Sequence, residues 1–253
     1  MTNWACVLIP HDDDGIIAIG GILWQLKDKG WELGYIQMTD GRHGGNLPPE
    51  EIKEMRTKEA EEERKFLGVR DYYNFDIEDG KLENYKDDEG IIEKVAKMIK
   101  DSNVVFLPNK ADAHPDHRAT YEIGHKALEL VGNDRTPLEV HYVVWLFPFR
   151  SYEPGTFERI LKVNIDNQIG RKLEGIRKHR SQVEWGRYDE IAEHLNRVFS
   201  LLYSTYRSRK NKYSEIVGIP RVNENYHLFV NSLESVEDVT EIFHGRKSAN
   251  IKG

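Results

Sequence analysis

The segment Pro10-His11-Asp12-Asp13-Asp14-Gly15 places one imidazole and three carboxylates directly after an apolar run, Trp4 to Ile9. A second cluster, His114-Pro115-Asp116-His117, follows another apolar run about a hundred residues later. Histidine with carboxylate is a donor set suited to zinc, which in catalytic sites is held by three protein ligands with a fourth position left to solvent. Sulfur ligation is excluded. The single cysteine, Cys6, lies inside the first apolar run, so no closed site built on several thiolates can form within the chain, and neither can a disulfide.

Three consecutive aspartates on their own read as a solvated turn or helix N-cap, because carboxylates accept from the orphan N–H groups and complement the positive end of the dipole. The partner cluster turns the reading toward a metal. Pro115 suits the first position of a helix, which makes His114 the N-cap and sets His117 on the same face one turn later. His43, His125, His141, His179, His194, His227 and His244 are read as structural. A nucleotide site is disfavoured at the first turn, since phosphate needs a glycine-rich loop of free N–H groups there and meets carboxylates instead. Gly20 and Gly21 come after the helix has begun and read as close-packing positions.

The elements that must position these clusters are apolar, strand-like runs at roughly 4 to 10, 32 to 39, 72 to 75, 103 to 108 and 139 to 146. Helix-like stretches separate them: Ile16 to Lys29, Pro49 to Leu67, Ile91 to Lys100 and Pro115 to Leu130. This alternation predicts an α/β fold, a Rossmann-like, mostly parallel sheet flanked by helices. In such sheets strands one and four are neighbours, and the reversal of winding between them opens a crevice at their C-terminal ends. Both clusters follow those two strands. Past Leu146, helix-like stretches at about 166 to 178 and 188 to 206 and a last apolar run near Tyr226 to Val230, read as a strand, add C-terminal layers. The polar stretches are short and read as loops, so residues 1–253 are taken as one domain.

The formal net charge of −7 argues against a nucleic-acid partner, which requires a clustered cationic face. The one dense basic group, Arg207, Arg209, Lys210 and Lys212, reads as the exposed end of a helix. No basic segment followed by an apolar core opens the sequence, and no stretch is long enough to span a bilayer. With a lone thiol, the expectation is a soluble, cytoplasmic protein with no membrane insertion.

Within 49 to 67 the stripe marked by Ile52, Met55, Ala60 and Phe66 also carries Arg56, Glu59 and Glu63. Either Arg56 pairs with Glu59 one turn away, or it grips hydroxyls of a substrate.

These residues resemble the LmbE/PIG-L family of zinc-dependent N-acetylglucosamine deacetylases, which includes mycothiol, bacillithiol and diacetylchitobiose deacetylases. Supporting strings are Met38-Thr39-Asp40-Gly41 with Gly44, Arg56-Thr57-Lys58-Glu59 leading to Leu67-Gly68-Val69, Asp79-Gly80-Lys81-Leu82, Lys178-His179-Arg180-Ser181-Gln182, and a weaker Glu224. The family's first motif reads His-Pro-Asp-Asp-Glu. The chain matches it at His11, Asp13 and Asp14, and has Asp12 for the proline and Gly15 for the glutamate. The resemblance implies zinc, one per chain, on His11, Asp14 and His117, with another divalent transition metal as the alternative. It implies Asp13 as general base, His114 as stabiliser of the tetrahedral intermediate and proton donor, Asp116 as the residue that orients His114, and Arg56 and Asp40 as substrate contacts. Asp12 is expected either to shift the ligand register or to add an outer-sphere carboxylate.

The function so implied is hydrolysis of the N-acetyl group of an N-acetylglucosamine-type sugar or conjugate, with a metal-bound water as nucleophile. A non-catalytic metal- or carbohydrate-binding member of the same fold is the alternative. The partner is a small-molecule N-acetylated amino sugar; the aglycone and homo-oligomer formation stay open. Trp145, Phe147, Phe149 and Tyr152 either stack on a sugar ring or pack beneath a loop.

Overall fold

Strands and helices alternate as the apolar pattern predicts, in a computed structural model that describes residues 2–132, 136–145, 152, 155–202 and 210–244. In chain order the first half runs β1 (Trp4–Ile9), α1 (Asp14–Asp28), β2 (Glu32–Thr39), α2 (Pro49–Leu67), β3 (Asp71–Ile77), a single 3-10 turn at Leu82–Tyr85, α3 (Glu89–Ile99), β4 (Val104–Pro108), α4 (Pro115–Val131) and β5 (Leu138–Tyr142). There follow β6 (Arg159–Asn164), α5 (Ile169–Ile176), α6 (Arg180–Gly186), α7 (Tyr188–Leu202), β7 (Ser214–Ile219), α8 (Asn225–Asn231), β8 (Val236–Asp238) and α9 (Thr240–His244).

The sheet order is β3-β2-β1-β4-β5-β7-β6-β8. β1 pairs in parallel with both β2 and β4, which makes the gap beyond their C-terminal ends the switch point of the winding. The sheet is covered on both faces, and successive side chains of a strand supply the two layers. Ala5, Val7 and Ile9 face one core with α1, while Cys6 and Leu8 face the other with α3 and α4. Burial pushes the Cys6 thiol up to about 12, so it is an inert core group.

α1 is broken at Ile19, whose φ of −131° and ψ of 20° leave the helical region. The amides freed there, Gly21 N–H and Ile22 N–H, both donate to the Glu215 carboxylate of β7 at 2.8 Å. Lys172 of α5 balances that carboxylate at 2.7 Å, with both side chains buried. A β-carbon at Gly21 would collide with Ile165, so the glycine permits the close approach that this buried cap requires.

Two features depart from the sequence reading. The run Tyr226 to Val230, read as a strand, is helix α8, because Tyr226, Phe229 and Val230 stand at helical spacing and all pack on the main core, Phe229 against Phe106. Three antiparallel strands, β6, β7 and β8, extend the sheet where no strand was expected. The strand expected to reach residue 146 ends at Tyr142; residues 146 and 203–209 lie outside the described residues.

Candidate metal centre and its cleft

β1 and β4 end side by side and deliver the two histidine clusters to one place. Asp13 occupies the N-cap position of α1, but its side chain makes no capping bond. Its neighbour Asp14 turns back, and Asp14 Oδ2 accepts the His11 N–H at 2.9 Å. A β-carbon at Gly15 would stand 3.1 Å from Ile9 Cγ2 and 3.2 Å from the Tyr35 hydroxyl, so this turn is packed too tightly for the family's glutamate without movement.

Asp14 Oδ2 lies 3.1 Å from His11 Nδ1 and 3.3 Å from His117 Nε2. The donor atoms of these three buried residues fall within 4.8 Å of one another. Their other ring nitrogens face carboxylates: His11 Nε2 is 3.2 Å from Asp79 Oδ1, and His117 Nδ1 is 3.1 Å from Asp112 Oδ2. An outer carboxylate behind each imidazole is the arrangement that fixes the tautomer of a metal-binding histidine. The donor set therefore fits a divalent cation. His11, Asp79, His114 and Asp116 form a second compact group, but it is less free to bind. Asp116 already accepts Gly80 N–H at 2.6 Å and Leu82 N–H at 3.1 Å, and His114 Nδ1 accepts Asp116 N–H at 3.2 Å.

Without a cation, protons balance the carboxylates. Burial pulls the His117 imidazole down, yet Asp14 and Asp112 more than offset it and its pKa rises to about 9. His11 behaves alike: burial opposes protonation, and hydrogen bonds to Asp116, Asp14 and Asp79 raise it well above the usual imidazole range. Burial likewise works to lift Asp14, but the two histidines hold it well below the usual carboxylate range. Asp13 is lifted, first by burial and also by Asp12 and Asp14, against the pull of Arg56.

His114 is the N-cap of α4 with Pro115 at the first helical position, as its sequence predicts. Its Nδ1 accepts a backbone N–H, so the neutral ring carries its proton on Nε2. Burial and the neighbouring His11 and His117 lower its affinity for a second proton. The expected Asp116–His114 contact is made by the Asp116 amide and not by the carboxylate, which instead pins the loop that carries Asp79.

Arg56 lines the cleft. It does not pair with Glu59, which accepts from Ser181 N–H at 2.8 Å and Ser181 Oγ at 2.6 Å. Its Nε donates to Asp12 Oδ1 at 2.8 Å, and its Nη2 donates to Asp12 Oδ1 and to Asp13 Oδ1, the latter at 3.0 Å. Asp12 turns to Arg56 and is not part of the compact group of His11, Asp14 and His117. Glu63, from the same stripe, is fully buried with no hydrogen bond to either oxygen, and burial lifts it to about 8. Asp40 is engaged by Arg42 Nε at 2.7 Å, by Lys53 Nζ at 3.3 Å and by Asp79 N–H at 3.1 Å, and does not line the cleft.

The cleft above these residues has a volume of about 340 Å³, with His11, Asp13, Asp14, Arg56, His114 and His117 among its walls. Trp145, Trp185 and Tyr188 form its aromatic side, the Trp145 and Tyr188 rings 4.7 Å apart. Of the aromatic residues singled out in the sequence, Trp145 reaches the cleft and Tyr152 is buried, its hydroxyl donating to Ile216 O at 2.9 Å. Phe147 and Phe149, like Arg207 and Arg209, lie outside the described residues. The sequence reading missed Asp112, Trp185 and Tyr188 and gave Asp79 no role. Only Asp79, within its Asp-Gly-Lys-Leu string, carried any signal. Among the described residues no helix is long and apolar enough to cross a membrane.

Residues 6–128 match the family model PIG-L, described as GlcNAc-PI de-N-acetylase. The diacetylchitobiose deacetylase of Thermococcus kodakarensis is 26% identical over 188 residues, covering 68% of this chain and 67% of that protein. The structure of N,N'-diacetylchitobiose deacetylase from Pyrococcus horikoshii aligns with a TM-score of 0.66 at 23% identity, covering 90% of this chain and 88% of that one. A 4-carboxy-2-hydroxymuconate hydratase, GalB of Pseudomonas putida, aligns with a TM-score of 0.69 at 17% identity over 88% of this chain and 99% of its own. A hydratase thus shares the fold, and the chemistry has to be argued from the site.

Proposed function

Because the chain belongs to the PIG-L (LmbE-like) family of deacetylases, we propose that residues 1–253 act as one catalytic domain that removes the acetyl group from an N-acetylglucosamine-type sugar or sugar conjugate. The observation that carries this reading is the meeting of His11, Asp14 and His117 donors within 4.8 Å of one another in a cleft that also exposes Asp13 and His114. Those three residues would hold the metal, with zinc the first choice for two imidazoles and a carboxylate. When bound, such an ion supplies Lewis acidity toward an amide oxygen and toward water.

The chain's own groups do the rest. Asp13 accepts a proton from the water that attacks the acetyl carbon, and burial, which favours the protonated form, makes it a competent base. Arg56 holds that carboxylate in place through Nη2. His114 presents Nε2–H to the cleft, anchored by the hydrogen bond at Nδ1, and can donate to the oxygen that gains charge as the carbon becomes tetrahedral. The C–N bond then breaks as the nitrogen gains the proton that Asp13 took from the water, leaving a free amino sugar and acetate. Trp145, Trp185 and Tyr188 offer apolar faces to a pyranose ring. A cytoplasmic setting agrees with the buried, unpaired Cys6.

The test is acetate release across a panel of N-acetylated sugars, with and without chelator and added zinc. Release that chelator abolishes and zinc restores is expected. A zinc-loaded protein that releases none from any of them, with an Asp13→Asn variant binding zinc equally well, would leave the non-catalytic binding module as the reading.

A further inference from the structure

The side chain at position 12 has no place in the metal cluster, yet it is 3% exposed and its Oδ1 accepts two donors of Arg56. A buried arginine needs a counter-charge, and Arg56, also 3% exposed, has two candidates, Asp12 and Asp13. The donors are divided unequally between them. Nε and one N–H of Nη2 go to Asp12 Oδ1, and the second N–H of Nη2 goes to Asp13 Oδ1. Among the described residues Nη1 has no acceptor, and Arg56 lines the cleft. The surrounding backbone is shaped to this pose. A β-carbon at Gly41, where φ is +63°, would stand 3.0 Å from Nε, and one at Gly44 would overlap Nη1. Gln182 holds the loop there by donating to Gly44 O at 2.7 Å.

We propose that Asp12 is a positioning residue: it clamps the Nε edge of Arg56, so that the guanidinium steadies Asp13 with Nη2 and turns Nη1 into the cleft to donate to a hydroxyl oxygen of the sugar. This rests on the function proposed above for its ligand. A planar guanidinium has a fixed fork of donors, so holding one edge aims the other. The aspartate found where the family has proline thereby acquires a role. It acts through Arg56 on the orientation of the substrate and not on the metal.

Two measurements test this, both on zinc-loaded full-length protein. In the first, the Arg56 Nε–H resonance, assigned by its loss in Arg56→Lys, is followed by nitrogen-15 NMR. It should be protected from exchange in the wild type, lose protection in Asp12→Ala, and keep part of it in Asp12→Asn, which retains an acceptor oxygen and guards against a variant that does not fold. In the second, N-acetylglucosamine is titrated calorimetrically. Asp12→Ala should weaken binding about tenfold, the scale of one charge-assisted hydrogen bond. On the Arg56→Lys background the same change should matter less than about twofold, because the two residues act as a unit.

Equal losses on both backgrounds would overturn the proposal. So would an Nε–H signal indifferent to position 12, or a comparable loss of cobalt(II) affinity in Asp12→Ala, which would put the effect at the metal. A wild-type protein that neither binds the sugar nor releases acetate removes the proposed function and the ligand named here. The Nε–H signal would still decide whether Asp12 holds the guanidinium.

Discussion

Lowering the pH should weaken metal binding steeply, because the proposed ligands are protonated before an ion arrives. Histidine binds a metal only as the free base, so each proton displaced costs about tenfold in affinity per pH unit below the imidazole pKa. His117, bracketed by Asp14 and Asp112, has its pKa raised to about 9, and His11 is raised as well by three carboxylates. Asp14 is depressed and does not titrate in this range. Between about pH 8 and about pH 6, affinity should fall by roughly 10² if His117 alone gives up a proton and by roughly 10⁴ if His11 does too. Competition against a zinc indicator gives the affinity. Calorimetry in buffers of different ionisation enthalpy counts the protons, with one to two expected. Binding that releases none, or an affinity flat across that range, would refute the assignment of His11 and His117 as ligands. Stability of the metal-free protein should run the other way. With a folded pKa of about 9 against an ordinary 6.5, His117 contributes stability that is complete below 6.5 and lost as pH rises through about 9. Asp14, lowered from 3.8, contributes above 3.8 and loses it as pH falls through its depressed value. The metal-free melting temperature should therefore be highest between those limits.

Asp13→Asn should cut acetate release by about 10² to 10⁴, the scale of one general base, while zinc affinity measured by competition stays within about threefold. Asp112→Asn should weaken zinc binding about 10- to 100-fold, because the amide can no longer hold the proton of His117 Nδ1 as a carboxylate does. Lys172→Ala should cost about 3–5 kcal/mol in urea unfolding, since it leaves the Glu215 carboxylate buried without its cation, and Lys172→Ala with Glu215→Gln should recover part of that loss. Gly44→Ala should weaken sugar binding without changing zinc affinity, because the added methyl takes the place of Arg56 Nη1.

The parallel half of the sheet and the position of the cluster were legible because both signals are local. A buried parallel strand is a continuous apolar run, and His114-Pro115 reads as a helix start whatever surrounds it. The antiparallel strands were hidden by their own residues. β6 carries Lys162, buried and paired with Glu237 at 3.1 Å, and β7 carries Glu215 and Gly218, so neither reads as an apolar run.

Sequence by itself determined the α/β winding and the identity of the residues that converge at its switch point, since strand periodicity and motif spacing are properties of short segments. Only the tertiary structure decided how those residues share their contacts. Asp79 comes to His11 across 68 residues, and Arg56 comes to Asp12 across 44. A charged side chain in an amphipathic stripe has several partners within reach of its rotamers. Which one it takes depends on where the elements of the whole fold set the competing carboxylates, here Asp12 and Asp13 and not Glu59.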